Sequence, residues 1–263
     1  MIAAILIIFQ RNLCVAKNSK FLGFYALVFF LIPFSVLAVD ADTRLSDQSG
    51  TLTGQNIEIA SLSVETQPVL AKPLPKRANF EQEEASQDAR HVADWIVDSG
   101  NNRGMPFVIV DKISAKVFVF HADGRLRGAA PALLGMAVGD DAVPGIGNRK
   151  MSSIRPEERT TPAGRFVSYM GINFYRKDIL WVDYEGAMSL HRVVTNKPEE
   201  RRLERLATPT PLDNRISYGC INVPATFFDK VVKPAFAGVM GVVYVLPEVK
   251  SKKEVFASYY DVE

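Results

Sequence analysis

The residue with the clearest capacity for chemistry is Cys220, whose thiol is a potential nucleophile in the run RISYGCINVP (215–224). The second cysteine, Cys14, lies in an apolar N-terminal stretch, so a chain cleaved after that stretch would keep one thiol and no intramolecular disulfide. A thiol without a partner is open to oxidation outside the cytoplasm, which suggests that its chemistry is used. The alternative interpretation is a small buried apolar side chain, since free cysteine is often buried.

The neighbours of Cys220 favour a reactive thiolate. We predict a helix over 224–232, with Pro224 in its first turn and an apolar face of phenylalanines and valines, so that Cys220 lies just before it. Backbone N–H groups and the positive end of the helix dipole would stabilise a thiolate there and could donate to an oxyanion. Gly219 would let an acyl carbonyl approach the main chain closely.

A thiol nucleophile needs a base, and histidine is suited to that task near neutral pH. The chain has three histidines. His191 lies at the end of a predicted strand, before a long loop that returns to Cys220, so we predict that the two side chains meet. His91 is expected at the helix surface because no metal partner lies at i+4, and His121 is expected only to form a turn.

Short β-type runs must position these residues. We predict strands over 107–111, 116–120, 164–170, 180–184, 187–193 and 241–247, with a hairpin turn at Asp123-Gly124. Two polar insertions, over 139–161 and 194–215, are expected on the surface. An amphipathic helix capped by Asn79, with Ala85, Ala89, Val92 and Ile96 at helical spacing, is expected to pack on this domain as part of residues 79–104.

The N-terminal part reads as an export signal followed by a tether. The uncharged run 21–39 follows three basic residues and ends in small residues suited to signal-peptidase cleavage, which makes 1–38 a signal peptide. A retained membrane anchor is the alternative, because nineteen uncharged residues can just cross a bilayer. Either way the protein is expected in the periplasm or cell envelope, and 39–78 is expected to be a flexible polar tether.

Composition excludes some classes of protein. The 263 residues are 48% hydrophobic, which is enough for a globular core, and the net charge is +2. No dense stripe of Lys or Arg predicts nucleic-acid binding. The mildly basic part after residue 100 suits a substrate with carboxylates, although a mixed solvated surface explains it equally well.

Three motifs in order give the chain a resemblance to a known family. They are TPAGRF (161–166), SLH (189–191) and SYGCIN (217–222). Together with the opening FVIVDKISAKVFVFHADGRL they resemble the catalytic domain of the L,D-transpeptidases, the YkuD-like family, over about 105–248. Residues 249–263 would then form a C-terminal tail.

The resemblance implies a mostly β, curved-sheet domain with a few short helices, preceded by the amphipathic helix, and neither cofactor nor metal. It implies that Cys220 is the nucleophile and His191 its general base. Gly219, Ser217, Tyr218 and Asn222 fall on positions that would place the oxyanion or the substrate. For the entry motif Thr161, Pro162 and Gly164, a structural turn is at least as good an interpretation as substrate contact.

The implied reaction is acyl transfer on peptidoglycan stem peptides. Cys220 would attack a stem, release D-alanine and pass the acyl group to an amine. The amine could belong to a second stem, or to a wall-linked protein or lipoprotein. Two alternatives remain: a carboxypeptidase or amide hydrolase of the same wall bonds, and a non-catalytic wall-binding module.

Two departures from the family pattern affect the expected site. Tyr218 stands where the family usually has histidine, although tyrosine can still donate a hydrogen bond. Between His191 and Ser217 lie 25 residues, more than is usual in the family. The charged segment EERRLERL in this insertion is expected either to cap the acceptor side of the site or to be a surface excursion.

Overall fold

A computed structural model describes residues 74–263. The predicted leader, 1–38, and most of the predicted tether, 39–78, lie outside the described residues. Within 74–263, no helix is long and apolar enough to cross a membrane.

The described residues form a mostly β structure. Its main sheet has eight strands in the order β3-β2-β1-β10-β5-β6-β7-β9, and β4 pairs with β8 in a separate ladder. The strands are β1 (Phe107–Asp111), β2 (Lys116–Phe120), β3 (Leu126–Pro131), β4 (Leu134–Gly135), β5 (Gly164–Ile172), β6 (Asp178–Asp183), β7 (Met188–Arg192), β8 (Arg215–Ser217), β9 (Ile221–Val223) and β10 (Gly241–Val245). The predicted fold class is confirmed, because the sheet is strongly curved and the helices are few and short.

The sheet separates two apolar cores. Successive residues of β1 alternate between them, with Phe107 and Ile109 on one side and Val108 and Val110 on the other. A strand buried on both faces has a continuous apolar sequence, which is why FVIVD was recognisable as a strand. The core on the Phe107 side is closed by a helix, and the other core lies beneath β6, β7 and β9, which carry the candidate site.

The closing helix is α1 (Gln87–Ser99), which buries Val92, Trp95 and Ile96. It begins later than predicted: Ser86 is the N-cap, and its hydroxyl accepts a hydrogen bond from the Ala89 N–H. The predicted cap, Asn79, instead accepts from the Glu81 N–H and pairs with Arg125 in an isolated bridge. The assignment to Asn79 was wrong because asparagine side chains form such local turns as readily as helix caps.

The remaining helices are short. They are α2 (Arg202–Ala207), α3 (Ala225–Phe227), α4 (Lys233–Ala235) and α5 (Lys252–Val255), with a π-helical turn (Phe228–Val232) joining α3 to α4 and 3₁₀ turns at Ile146–Asn148, Met151–Ser153, Pro156–Glu158 and Pro198–Glu200. The helix predicted over 224–232 is therefore present, with Pro224 as its N-cap.

Cys220, however, does not precede that helix directly. It is followed by β9, whose Ile221, Asn222 and Val223 pair in parallel with Leu190, His191 and Arg192 of β7. Two β-branched residues buried in the sheet favour a strand here. The prediction that a helix dipole acts on the thiol was therefore wrong, and other groups must stabilise a thiolate.

A buried charged cluster fixes the segment 139–161 to the end of the sheet. The Lys112 ammonium donates to the Gly139 carbonyl at 2.6 Å, to Asp140 Oδ1 at 2.7 Å and to the Thr161 carbonyl at 3.1 Å. Asp140 also accepts from the N–H groups of three residues after β10, Glu248, Val249 and Lys250. Both charged side chains are buried, so this segment is anchored in the fold rather than being only the surface insertion we expected.

Candidate active site

Cys220 lies at the end of a tight turn between β8 and β9. The Ser217 hydroxyl spans this turn: it accepts a hydrogen bond from the Gly219 N–H at 3.0 Å and donates to the Cys220 carbonyl at 2.6 Å. The Asn222 side-chain amide donates to the same carbonyl at 3.2 Å. Ser217 and Asn222 are buried, so their side chains hold the backbone that carries the thiol. The thiol itself is half-buried.

Gly219 is required by the geometry of this turn. Its φ of +123° lies in a region that residues with a side chain rarely adopt, and a Cβ here would lie 2.7 Å from the Thr160 carbonyl oxygen. The neighbouring Thr161 hydroxyl donates to the Gly219 carbonyl at 2.9 Å and accepts from the Gly135 N–H at 2.8 Å. The motif TPAGRF (161–166) and the motif SYGCIN (217–222) are thus in direct contact, and Thr161 has a structural role there.

His191 lies on β7, and the structure brings it to Cys220. Its Nδ1 is 2.7 Å from the Arg192 carbonyl oxygen. A carbonyl can only accept, so Nδ1 carries the proton, and Nε2 is the nitrogen left to interact with Cys220. A neutral imidazole in this tautomer can take a proton from the thiol.

The pKa shifts of the pair favour a thiolate. Burial raises the pKa of Cys220, but the hydrogen bond and charge of His191, together with hydrogen bonds from Ser189, outweigh it and hold the pKa below its ordinary value. Burial likewise opposes protonation of His191, and the hydrogen bond and charge of Cys220 outweigh it and raise its pKa. The two shifts together stabilise a thiolate next to an imidazolium.

Ser189 is a site residue that we did not assign from the sequence. Its Oγ lies 3.7 Å from Cys220 Sγ. The carbonyl oxygen of Ala187, on the loop before β7, is also 3.7 Å from Cys220 Sγ. The signal was present in the motif SLH, since Ser189 and His191 are two apart on a strand and share one face. A role could not be assigned without knowing that β9 places Cys220 against that face.

Cys220 opens into a cavity of about 170 Å³. Its walls are the segment 142–162, the loop between β6 and β7, and the turn that carries the thiol. The segment 142–162 contains three of the four 3₁₀ turns. Residues from these three parts that line it include Arg149, Thr160, Pro162, Asp183, Ala187, Met188, Tyr218, Gly219 and Cys220. The segment 139–161, predicted as a surface insertion, therefore shapes the site.

Tyr218 also lines this cavity, and Arg159 lies over its ring with the guanidinium carbon 3.9 Å from the ring centroid. Arg159 is fixed by two hydrogen bonds from its side chain to the Ile154 carbonyl. Such a cation contact orients the aromatic ring without a hydrogen bond. Tyr218 is thus part of the cavity wall beside Cys220.

The insertion between His191 and Ser217 lies elsewhere. No residue of 196–213 lines the cavity at Cys220 in the described structure. The segment instead reaches Asn222, whose Oδ1 accepts a hydrogen bond from Arg202 at 2.9 Å, and the charge of Arg202 acts to lower the pKa of His191. It supports the back of the site and does not cover the thiol.

The structure brings together Cys220, His191, Gly219 and Tyr218, with Ser217 and Asn222 behind them. His91 is exposed on α1, and His121 lies at the turn after β2. Among residues 74–263, no group of three or more His, Cys, Asp or Glu side chains is arranged to hold a metal ion.

No protein-family model matches the sequence, and no curated protein matches it. A search of solved structures finds L,D-transpeptidases. The L,D-transpeptidase of Xylanimonas cellulosilytica (residues 123-326) is 16% identical, with a TM-score of 0.33, and the match covers 54% of this chain and 60% of that one. The catalytic domain of the E. faecium L,D-transpeptidase is 18% identical, with a TM-score of 0.29, over 54% of this chain and 96% of that one.

A third similar structure is the helical cell shape determining protein Pgp2 from Campylobacter jejuni. It is 16% identical, with a TM-score of 0.35, and the match covers 57% of this chain and 51% of that one. The chain thus spans less than two thirds of the length of Pgp2 and of the Xylanimonas structure. The structural search finds the family that the sequence motifs resemble.

Proposed function

We propose that this protein is a cysteine-dependent L,D-transpeptidase that acts on peptidoglycan stem peptides. The observation that carries the proposal is the parallel pairing of β9 with β7, which sets Cys220 against Ser189 and His191. The pKa shifts agree with it, since the pKa of the thiol is lowered and that of the imidazole is raised. A thiol whose ionisation is favoured by a neighbouring imidazole, and which lines a cavity, is suited to acyl transfer through a thioester.

In the first half-reaction the Cys220 thiolate attacks the carbonyl carbon of the amide that joins the stem to its terminal D-alanine. The carbonyl electron pair moves to oxygen, and the oxyanion needs an N–H donor nearby. The Gly219 N–H already donates to Ser217, which leaves the Cys220 N–H as the available donor. When the intermediate collapses, the C–N bond breaks, His191 gives its proton to the leaving amine, and D-alanine departs from the thioester.

In the second half-reaction an amine attacks the thioester carbonyl. His191, now neutral, takes a proton from that amine as the new C–N bond forms, and the thiolate leaves as the C–S bond breaks. An amine from a second stem gives a cross-link. A wall-linked protein or lipoprotein could supply the amine in the same way, and water in its place gives a trimmed tripeptide.

Peptidoglycan lies in the cell envelope, so the proposal requires that residues 74–263 act outside the cytoplasm. The sequence 1–38, predicted to be a signal peptide or anchor, would provide export. Cell fractionation with an antibody to the C-terminal part tests this: recovery in the periplasmic or envelope fraction is expected, and recovery with cytoplasmic markers would contradict it.

The test of the activity is to incubate the full-length protein with disaccharide-tetrapeptide and identify the products by mass. A cross-linked dimer is the expected product. A tripeptide without dimer would indicate a carboxypeptidase, and an unchanged substrate would favour a wall-binding module. In the Cys220→Ser control, product above about a tenth of wild type would contradict the assignment of the nucleophile, because a hydroxyl is a far poorer nucleophile with this base.

A further inference from the structure

Three aromatic side chains lie together on the outer surface of β5 and β6. Tyr169 and Trp181 are directly opposite in the antiparallel register, so their side chains share one face. The rings of Trp181 and Tyr184 are 5.1 Å apart between centroids, at 66° to each other. Tyr184 is 52% exposed, and the other two side chains are half-buried. We call Tyr169, Trp181 and Tyr184 the aromatic platform.

Gly171 allows the indole to lie close to the sheet. A Cβ at position 171 would lie 2.7 Å from Trp181 Cδ1 and 2.9 Å from its Nε1, so the ring occupies the space that a side chain would fill. Any larger residue at 171 would displace the ring. The position of Trp181 is therefore set by the backbone beneath it.

The polar atoms of the platform are left for a ligand. Within residues 74–263, the Trp181 indole N–H and the hydroxyls of Tyr169 and Tyr184 make no hydrogen bond to protein. None of them is a buried unsatisfied atom, so each is open to solvent or to a bound molecule.

The platform is continuous with the candidate active site. Trp181 is opposite Ser189 in the pairing of β6 with β7, and Ser189 Oγ lies 3.7 Å from Cys220 Sγ. Neighbouring strands are about 5 Å apart, so Trp181 lies only one strand beyond the residue that contacts the thiol. The loop that carries Tyr184 also lines the cavity, through Asp183 and Ala187.

The chemistry of the aromatic platform indicates which class of ligand it would bind. Aromatic faces carry partial negative charge and attract the C–H groups of a ring laid on them, while the free N–H and O–H groups can bond to hydroxyls. Asp183 and Glu185, the neighbours of Tyr184 in the sequence, disfavour an anionic membrane surface on the platform and can accept hydrogen bonds from hydroxyls. A neutral sugar ring meets all of these conditions.

We infer that Tyr169, Trp181 and Tyr184 bind an amino-sugar ring of the glycan that carries the stem peptide. The inference rests on the proposed function for the identity of the substrate. It adds a second point of recognition, so that the enzyme would select stems attached to glycan over free stem peptides.

The kinetic test compares disaccharide-tetrapeptide with free tetrapeptide as donors for the full-length protein. We expect kcat/KM for the disaccharide-bearing donor to be at least about fivefold higher than for the free tetrapeptide, mainly because its KM is lower. In Trp181→Ala and Tyr184→Ala the ratio of the two kcat/KM values should fall to about one. Phe174→Ala is the matched control, because Phe174 is a 93% exposed aromatic residue at the tip of the β5–β6 hairpin, outside the platform. Equal use of both donors by the wild type would overturn the inference.

A binding test does not depend on catalysis. In full-length Cys220→Ser, addition of a β-linked N-acetylglucosamine tetramer should change tryptophan fluorescence, and Trp181 would be the reporter because the only other tryptophan, Trp95, is 1% exposed. The change should be saturable, absent in Trp181→Phe and weaker in Tyr184→Ala. No saturable change, or an equal change in Trp181→Phe, would overturn the inference. Binding without turnover by wild type would support the platform while contradicting the proposed activity.

Discussion

The Thr161 hydroxyl donates a hydrogen bond of 2.9 Å to the Gly219 carbonyl, and this bond ties the chain entering β5 to the turn that carries Cys220. Thr161 is fully buried and also accepts from the Gly135 N–H. One hydroxyl therefore joins three segments around the thiol, and its loss should affect both stability and activity.

Thr161→Val keeps the shape of the side chain and removes both hydrogen bonds. Because two buried backbone groups would be left unpaired, we expect the free energy of unfolding to fall by about 2 kcal/mol. Acylation should slow by at least about tenfold, since a small displacement of the turn misplaces the nucleophile. Urea denaturation and the rate of carbapenem adduct formation by intact mass measure the two effects. Thr160→Val is the control for stability, and an equal change in both variants would contradict the role of Thr161.

His191→Gln should slow acylation by at least about a hundredfold, the usual scale for a positioned base. The same change should raise the pKa of Cys220, because the hydrogen bond and charge of His191 hold that pKa down. The rate of iodoacetamide alkylation against pH reports this: the midpoint of the wild-type profile should lie at lower pH than that of an ordinary thiol, and the midpoint of the variant at higher pH than that of wild type. His91→Gln and His121→Gln should match wild type. Coincident profiles for all four proteins would remove His191 from the mechanism.

Arg202→Met tests whether the insertion supports the base. The charge of Arg202 lowers the pKa of His191, so its removal should raise that pKa and move the alkaline limb of the activity profile to higher pH. Loss of its bond to Asn222 should also reduce kcat/KM by several-fold. Arg201→Met is the control, since Arg201 is exposed and contacts only Glu204 through its side chain. If both variants have the wild-type profile, the insertion is a surface excursion.

Asp140→Asn tests the buried cluster behind the cavity wall. Burial raises the pKa of Asp140, but hydrogen bonds from Lys112 and from the N–H groups of Lys250, Glu248 and Val249 outweigh it and lower the pKa to about 2. A carboxyl whose pKa is lower in the folded than in the unfolded state stabilises the protein at pH values above its unfolded pKa of about 4. That stabilisation is lost as the pH falls from about 4 to about 2. The variant should lose about 3 kcal/mol at pH 7, because the buried Lys112 would lose its nearer carboxylate partner and keep only Glu248, at 3.3 Å.

The measurement for this variant is urea denaturation at pH 7 and at steps down to pH 2. The fall in stability below pH 4 should be shallower for Asp140→Asn than for wild type, since the variant lacks the carboxyl that titrates. Asp141→Asn is the control, because Asp141 is exposed and pairs only with Lys250. Equal stability of Asp140→Asn and wild type at pH 7 would show that the cluster does not hold the wall.

The sequence by itself determined the strands whose apolar residues run without interruption. β1 and β2 match their predicted bounds because both faces of these strands are buried, and β10 begins where it was predicted. It also singled out Cys220 and His191 as candidates, one as the only cysteine after the N-terminal stretch and the other as the only histidine at the end of a predicted strand. Short strands such as β8 and β9 were missed, since three residues carry no periodicity of their own.

Only the tertiary structure decided what surrounds the thiol. β9 pairs with β7 rather than starting a helix, and this parallel pairing sets Cys220 against Ser189 and His191. The polar segment 139–161 forms the cavity wall because the buried Lys112 and Asp140 hold it in place, while the equally polar 196–213 reaches the site only through Arg202. Polarity predicts that a segment borders solvent, but its position depends on distant partners, and those contacts exist only once the chain is folded.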